Sequence, residues 1–308
     1  MSRRAQSDAL APWRERARFD LPELAPPVVV ACSGGADSIA LLALACDEGL
    51  EPVAVHVDHG LRPEHRDDAE LVRAVAADLG ATFALVDVAI EVGGNLEARA
   101  RDARYAALRR ARVDAGASVV LLGHTQDDQA ETILLNLLRG SAGSGLAGMS
   151  YRRDEFVRPL LDMRRAETHA ICAALGVRVV HDAMNDDPAF RRVIVRRDVL
   201  PLLADVAGRD LVPVLARQAD ILRDESQFLD ELAGAAWPTD SGTSARALRD
   251  LHPVLAQRAV RIWLGPPPPS RAEVARVLDV ACGVARATEL AGGRVVRRAG
   301  GQMLVEPR

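Results

Sequence analysis

Val28-Val29-Val30-Ala31-Cys32-Ser33-Gly34-Gly35-Ala36-Asp37-Ser38 is the stretch that decides the fold. Its first five residues are apolar and mostly β-branched, as a strand buried on both faces requires. Ser33-Gly34-Gly35 breaks the run, and a helical pattern follows over 37–46. Glycines at such a turn let backbone N–H groups point inward, and the helix start adds partial positive charge, so the loop suits a phosphate. Ser33 and Ser38 add hydroxyl donors. Asp37 would repel phosphate unless a cation intervenes, which points to Mg2+. An ordinary turn with a serine or aspartate cap is the plainer alternative. It would suffice for a bare Gly-Gly, but the full Ser-Gly-Gly-x-Asp-Ser is much more specific.

Outward from this loop, further strands are expected at 53–57, 83–88 and 119–122, with helices between them at 67–79, 96–115 and 127–139. Strands alternating with helices of this length imply crossover units, hence an α/β doubly wound, mainly parallel sheet. Ligands of such sheets sit beyond the carboxyl ends of the strands, where the strand order switches. The clusters 33–38, 58–62 and 124–131 all begin where a strand ends, so they are expected to converge. Beyond residue 205 the pattern turns mostly helical, clearest over 211–232, and 294–306 reads as a hairpin around Gly300-Gly301. The expected division is a helical N-terminal extension (1–25), the α/β domain (26–205) and a smaller, mostly helical C-terminal domain (206–308).

Composition narrows the chemistry. Hydrophobic residues make up 49% of the 308 and charged residues 27%, the balance of a packed soluble protein. No apolar run approaches the ~18 residues of a membrane span. The first 25 residues mix Arg3, Arg4, Arg14 and Arg16 with Asp8, Glu15 and Asp20 and lack a secretory apolar core, so a cytoplasmic, membrane-free protein is expected. Cys32, Cys46, Cys172 and Cys282 show no Cys-x-x-Cys spacing, which disfavours zinc, iron–sulfur and disulfide frameworks. All 39 basic residues are arginine. A Walker-type lysine loop and a protein Schiff base are therefore impossible. The net charge of −4 carries no global nucleic-acid signature, and the arginines bunched at 99–112, 152–165 and 191–197 read, on charge alone, as solvated helix faces.

A second motif is His124-Thr125-Gln126-Asp127-Asp128-Gln129-Ala130-Glu131-Thr132. Asp127 and Asp128 stand four and three residues before Glu131, so on a helix the carboxylates can share a face. Such oxygens suit Mg2+ or a cationic amine. Capping by Thr125 or Asp127 explains part of the pattern but neither the doubled aspartate nor the histidine. Arg139-Gly140-Ser141-Ala142-Gly143-Ser144-Gly145-Leu146 follows, with Gly140 as a helix cap and the rest as a mobile loop. On the preceding helix Glu97 and Arg101 have salt-bridge spacing, whereas Arg104 is the candidate to stabilise charge at a phosphate or oxyanion.

The loop at 33–38 resembles the signature of the ATP pyrophosphatase (PP-loop) superfamily, whose domain is adenine-nucleotide α-hydrolase-like. The ordered set of motifs resembles one family within it, the tRNA(Ile)-lysidine synthetases. The resemblance rests on the loop, on Val57-Asp58-His59-Gly60-Leu61-Arg62, on Glu97 with Ala100-Arg101-x-x-Arg104-Tyr105, and on the His124 to Thr132 motif. Arg139-Gly140-Ser141 and Arg158-Pro159-Leu160-Leu161 continue it, over roughly residues 28–205. Asn185, Asp187, Phe190, Arg192 and Arg196 also fit. Met184 stands where the family usually has serine, and Val193 where it usually has asparagine.

The resemblance implies that ATP adenylates O2 of the wobble cytidine in an isoleucine tRNA with a CAU anticodon, and that free L-lysine then displaces AMP to give lysidine. It implies ATP contacts at Ser33, Gly34, Gly35, Ala36, Asp37 and Ser38, with His56, Asp58 and His59 near the adenosine. Asp37 and Glu131 become the expected Mg2+ ligands, and Asp128 and Glu131 the attraction for lysine. Arg104 and Arg196, helped by His124, would offset charge on the triphosphate or the adenylated base. The C-terminal domain would position the tRNA, and homodimerisation stays open. The alternatives are a tRNA base thiolase of the same superfamily, which generally needs paired cysteines, an ammonia-using amidase, and a non-catalytic ATP-binding RNA module, which would be expected to lose carboxylates such as Asp37 or Glu131.

Overall fold

Strand β1 (Val28–Ala31) lies at the centre of a six-stranded sheet of order β3-β2-β1-β4-β6-β5, formed with β2 (Pro52–Asp58), β3 (Thr82–Asp87), β4 (Val120–Leu121), β5 (Arg152–Arg153) and β6 (Phe156–Val157). Every pairing is parallel except β5 with β6. The computed structural model describes residues 2–21, 24–58, 65–88, 96–180, 187, 190–239 and 242–307. His59, Gly60, Leu61, Arg62, Met184 and Asn185 lie outside the described residues, as does the side chain of Glu97.

The parallel strands are linked by α2 (Ala36–Asp47), α3 (His65–Leu79) and α4 (Leu96–Asp114), preceded by α1 (Arg3–Leu10). Alternate residues of β1 go to opposite faces. Val28, Val30 and Cys32 join the core under α2, while Val29 and Ala31 join the core containing Leu108 and Ala111 of α4. Residues 39–45, the middle of α2, are buried on every side, which explains why that helix is apolar all round. The remaining helices of this unit are α5 (Gln126–Leu138), α6 (Gly143–Leu146), α7 (Arg165–Leu175), α8 (Arg191–Ile194) and α9 (Leu200–Ala207). A π-helical turn, Val195–Val199, joins the last two.

The chain divides into two compact units, Met1–Ala219 and Asp220–Arg308. The division falls inside the long helix α10 (Val212–Ala236), beyond the change of sequence pattern near residue 205. In the second unit α11 (Ala245–Asp250), α12 (Pro253–Leu264) and α13 (Arg271–Cys282) pack around Leu248, Val260 and Val277, with a three-stranded antiparallel sheet of β7 (Ala287–Glu289), β8 (Arg294–Ala299) and β9 (Gln302–Pro307). Ala299 pairs with Gln302 across the Gly300-Gly301 turn, the expected hairpin. No helix among the described residues is long and apolar enough to cross a membrane.

Candidate active site

Strand order reverses at β1, whose neighbours are β2 on one side and β4 on the other, so the crevice expected of a doubly wound sheet opens where β1 and β4 end. The loop 33–38 leaves β1 there. Gly34 has φ +90°, and an added Cβ would stand 2.6 Å from Val180 Cγ2, so only glycine fits. Gly35 is the N-cap of α2, leaving the first amides of that helix without intrahelical acceptors. Ser38 donates to the Gly35 carbonyl (2.9 Å), and the Ser33 and Ser38 hydroxyls lie 3.4 Å apart. Ser33 is exposed, Ser38 buried. From β4, Gly123 presses against this loop so closely that a Cβ would fall 2.9 Å from the Asp37 carbonyl oxygen. Ser33, Gly34, Gly35, Ala36, Asp37 and Ser38 are thereby brought beside His124.

The carboxylates converge, and arginines hold them. Thr125 caps α5 in a box with Asp128, whose Oδ2 accepts from both the Thr125 N–H and its hydroxyl at 2.9 Å. Arg165, at the start of α7, sets three nitrogens against three acids. Its Nη2 lies 2.9 Å from Asp128, its Nη1 3.1 Å from Glu131 and its Nε 3.7 Å from Asp37. Glu131 has no exposed surface, and Arg196 and Arg192 approach it as well, at 2.7 and 3.1 Å. Arg196 is carried by the π-helical turn, a distortion that recurs at functional sites. Asp127 faces away from this group: its oxygens take the Arg164 guanidinium at 3.1 and 3.2 Å and the Arg165 N–H at 2.8 Å, which pins α7 to α5. Asp37 also accepts from the Thr168 hydroxyl.

Burial lifts the Asp37 carboxyl above its ordinary pKa, against the Thr168 hydrogen bond and Arg165. At Asp128 burial is outweighed, chiefly by Arg165, and its pKa falls. Burial likewise pushes His124 well below the usual imidazole range, helped by Arg158, Arg104 and Arg192, so the ring is neutral near pH 7. Arg104 is exposed on α4, and desolvation by its surroundings lowers its pKa.

Two of the expected ligand-binding residues carry protein partners. His56 is 4% exposed, and its Nδ1 donates to the Cys32 carbonyl at 2.9 Å, so it braces β1 against β2 inside the core, whereas Asp58 is half-buried at the end of β2. Glu131, expected to bind Mg2+, has guanidinium groups on both oxygens. Among the described residues no three His, Cys, Asp or Glu side chains are grouped to hold a metal. Asp37 alone, half-buried on the phosphate loop, suits Mg2+, an ion usually held by one or two carboxylates together with substrate phosphates. The glycine-rich stretch after α5 forms the short helix α6, tied down by Asn136 to Gly145 (2.8 Å) and by Gln129 to both backbone groups of Met149 (2.7 and 2.8 Å). Arg139 is the cap residue, and Gly140 follows it with φ +76°.

A glycine loop and a carboxylate-bearing helix meeting at the reversal of a parallel sheet mark the PP-loop class, and the PP-loop domain family matches residues 14–203. The solved U34-tRNA thiolase NcsA from Methanococcus maripaludis, with its [4Fe-4S] cluster, shares the fold at TM-score 0.56 and 18% identity, over 73% of this chain and 81% of that one. Similarity in sequence runs elsewhere. A tRNA(Ile)-lysidine synthase of Salinispora arenicola is 41% identical over 95% of this chain and 94% of its own length. Those of Nocardia farcinica and Mycolicibacterium paratuberculosis are 47% and 46% identical, over 79% and 76% of this chain and 77% and 73% of theirs. The chain belongs to the tRNA(Ile)-lysidine synthase family.

Proposed function

We propose that this protein joins lysine to C2 of the wobble cytidine of a CAU-anticodon isoleucine tRNA in the cytoplasm, converting ATP to AMP and pyrophosphate. The observation that carries the proposal is the meeting of the phosphate loop with the Asp37, Asp128 and Glu131 cluster at the end of β1 and β4, in a chain of this family.

In the first step O2 of the cytidine attacks the α-phosphorus of ATP, and pyrophosphate leaves. In the second the lysine ε-nitrogen attacks C2, the C2–O2 bond breaks, AMP departs with that oxygen, and the amine sheds a proton. Ser33, Ser38 and the amides starting α2 hold the phosphates, and Asp58 marks the adenosine side. Asp37, together with the phosphates, would hold a Mg2+ ion, which would supply charge neutralisation there. Neutral His124 is suited to hydrogen-bond the base rather than repel the developing positive charge. Arg196 offsets negative charge on the leaving groups, and Arg104 stands toward the adenylated base. Asp128 and Glu131 are the anions available to the lysine ammonium, which must exchange with the Arg165 guanidinium to reach them. Residues 206–308 are assigned to positioning the tRNA.

The thiolase alternative needs reactive sulfur. All four cysteines are free, and burial pushes the Cys32 and Cys172 thiols up to about 11 and about 12, so both stay protonated and inert near neutrality. The test is ATP-dependent, alkali-stable incorporation of radiolabelled lysine into the isoleucine tRNA, with pyrophosphate followed in parallel. Asp37→Ala should lower both by about a hundredfold or more while the circular-dichroism spectrum stays native. Pyrophosphate release without lysine incorporation by the unaltered protein would sink the lysidine reading, and near-normal turnover by the variant would sink the site.

A further inference from the structure

Beside the carboxylate cluster lies a second group of arginines that no acid among the described residues answers. Arg158 follows β6, is 5% exposed, and donates through Nη1 to the Ser150 carbonyl (3.0 Å), while its Nε is buried without a hydrogen-bond partner. Arg158 and, from α4, Arg104 both lie near His124, whose buried Nδ1 is likewise unpartnered. Arg101, exposed one turn earlier, stacks over the Tyr105 ring at 5.3 Å, and that ring packs edge-on against Phe156 of β6. Among the described residues no carboxylate forms a salt bridge with Arg101, Arg104 or Arg158. Desolvation lowers the pKa of both Arg104 and Arg158, against Tyr105, which also hydrogen-bonds Arg158, and the next charges that act on them are other arginines.

Burying a cation such as Arg158 without counter-charge costs several kcal/mol, and such an arrangement is sustained where a ligand brings the missing anion. The guanidinium fork matches the oxygens of a phosphate. Two sources of phosphate reach this site, ATP and RNA. ATP phosphates are tied to the loop that follows β1. β6 stands two strands away across β4, roughly 10 Å at the usual strand spacing of about 4.8 Å. Between them sits His124, at the end of β4, on the side given to the reacting base.

We propose that Arg104 and Arg158, with Arg101 at the rim, form a binding site for a backbone phosphodiester of the RNA substrate, next to the nucleotide that reacts. The inference rests on the proposed function for its choice of RNA. Because it concerns binding, it is tested without turnover.

Affinity for an isoleucine tRNA transcript is measured across a salt series for the unaltered protein and for Arg101→Gln, Arg158→Gln and Arg158→Lys. In parallel each protein is titrated with α,β-methylene-ATP without RNA. The glutamine variants should each flatten the slope of log affinity against log salt by about 0.7–0.9, the release of one phosphate contact, and Arg158→Lys should keep the slope. ATP-analogue affinity should not move. An unchanged slope in both glutamine variants overturns the site. A loss of analogue affinity with an unchanged slope overturns the assignment to RNA and gives the phosphate to ATP. If buried Arg158→Gln fails to fold, exposed Arg101→Gln decides alone. A flattened slope in a protein that incorporates no lysine sinks the lysidine reading and spares this one, and the reverse pattern does the opposite.

Discussion

Two groups of arginines line one crevice, and they do opposite things. Arg165, Arg192 and Arg196 stand against Asp37, Asp128 and Glu131, three guanidinium groups for three carboxylates, at distances from 2.7 to 3.7 Å. Arg104 and Arg158, which also lie near His124, have no such partner among the described residues. The difference teaches how to read an arginine-rich site. Where the acids are matched, the arginines shape and hold protein groups. Where they are unmatched, the protein holds a charge in reserve for something that arrives.

The comparison can be broken at either end. Glu131→Ala strips a fully buried anion from three arginines, and should lower stability by about 3–5 kcal/mol in urea unfolding, the cost of orphaning buried charge. A loss below about 1 kcal/mol would mean the three arginines have other anchors. His124, between the groups, gives a pH-dependent effect. Its native pKa lies below its ordinary 6.5, so under that pH the unfolded chain takes up a proton that the native protein refuses. Stability therefore falls as pH drops through 6.5 toward the depressed native value, by up to about 1.4 kcal/mol per pH unit from this group. His124→Gln should remove that slope, read from urea midpoints at about pH 5 and about pH 7. The depressed pKa of Asp128 acts in the same direction only below 3.8, outside this window. The smallest effect belongs to Arg104→Gln, which removes a charge with no salt-bridge partner and should leave stability within about 0.5 kcal/mol. A loss of 2 kcal/mol or more would show that Arg104 belongs to the matched group after all.

Much of the first unit was legible because its signals are local. The β-branched run into Ser33-Gly34-Gly35, the alternation of strand and helix and the cap at Thr125 each concern residues a few positions apart. The hairpin of β5 and β6 escaped, since two-residue strands such as Arg152-Arg153 carry no periodicity. Arg165 escaped for a different reason. It was one arginine in a bunched run that reads as a solvated face, and its partners Asp37 and Glu131 lie far away in sequence, so only the docking of α7 onto α2 and α5 reveals it. Arg158 was visible as part of Arg158-Pro159-Leu160-Leu161, but nothing local says that its charge goes unanswered. The family resemblance sets His56 near the adenosine but does not say which way its side chain turns, and the alternation along β2 is the local signal that sends the ring to the core.

The matched lattice also has a consequence for how this site can change over generations. With Arg165 bonded to Asp128 and Glu131, and Glu131 shared with Arg192 and Arg196, loss of the Glu131 charge leaves three guanidinium groups short of an acid at once. Single replacements are penalised, while paired ones that remove an acid and a base together are tolerated. Descent should therefore leave these positions either untouched or altered in couples, a signature of epistasis that the unmatched arginines across the crevice would not share.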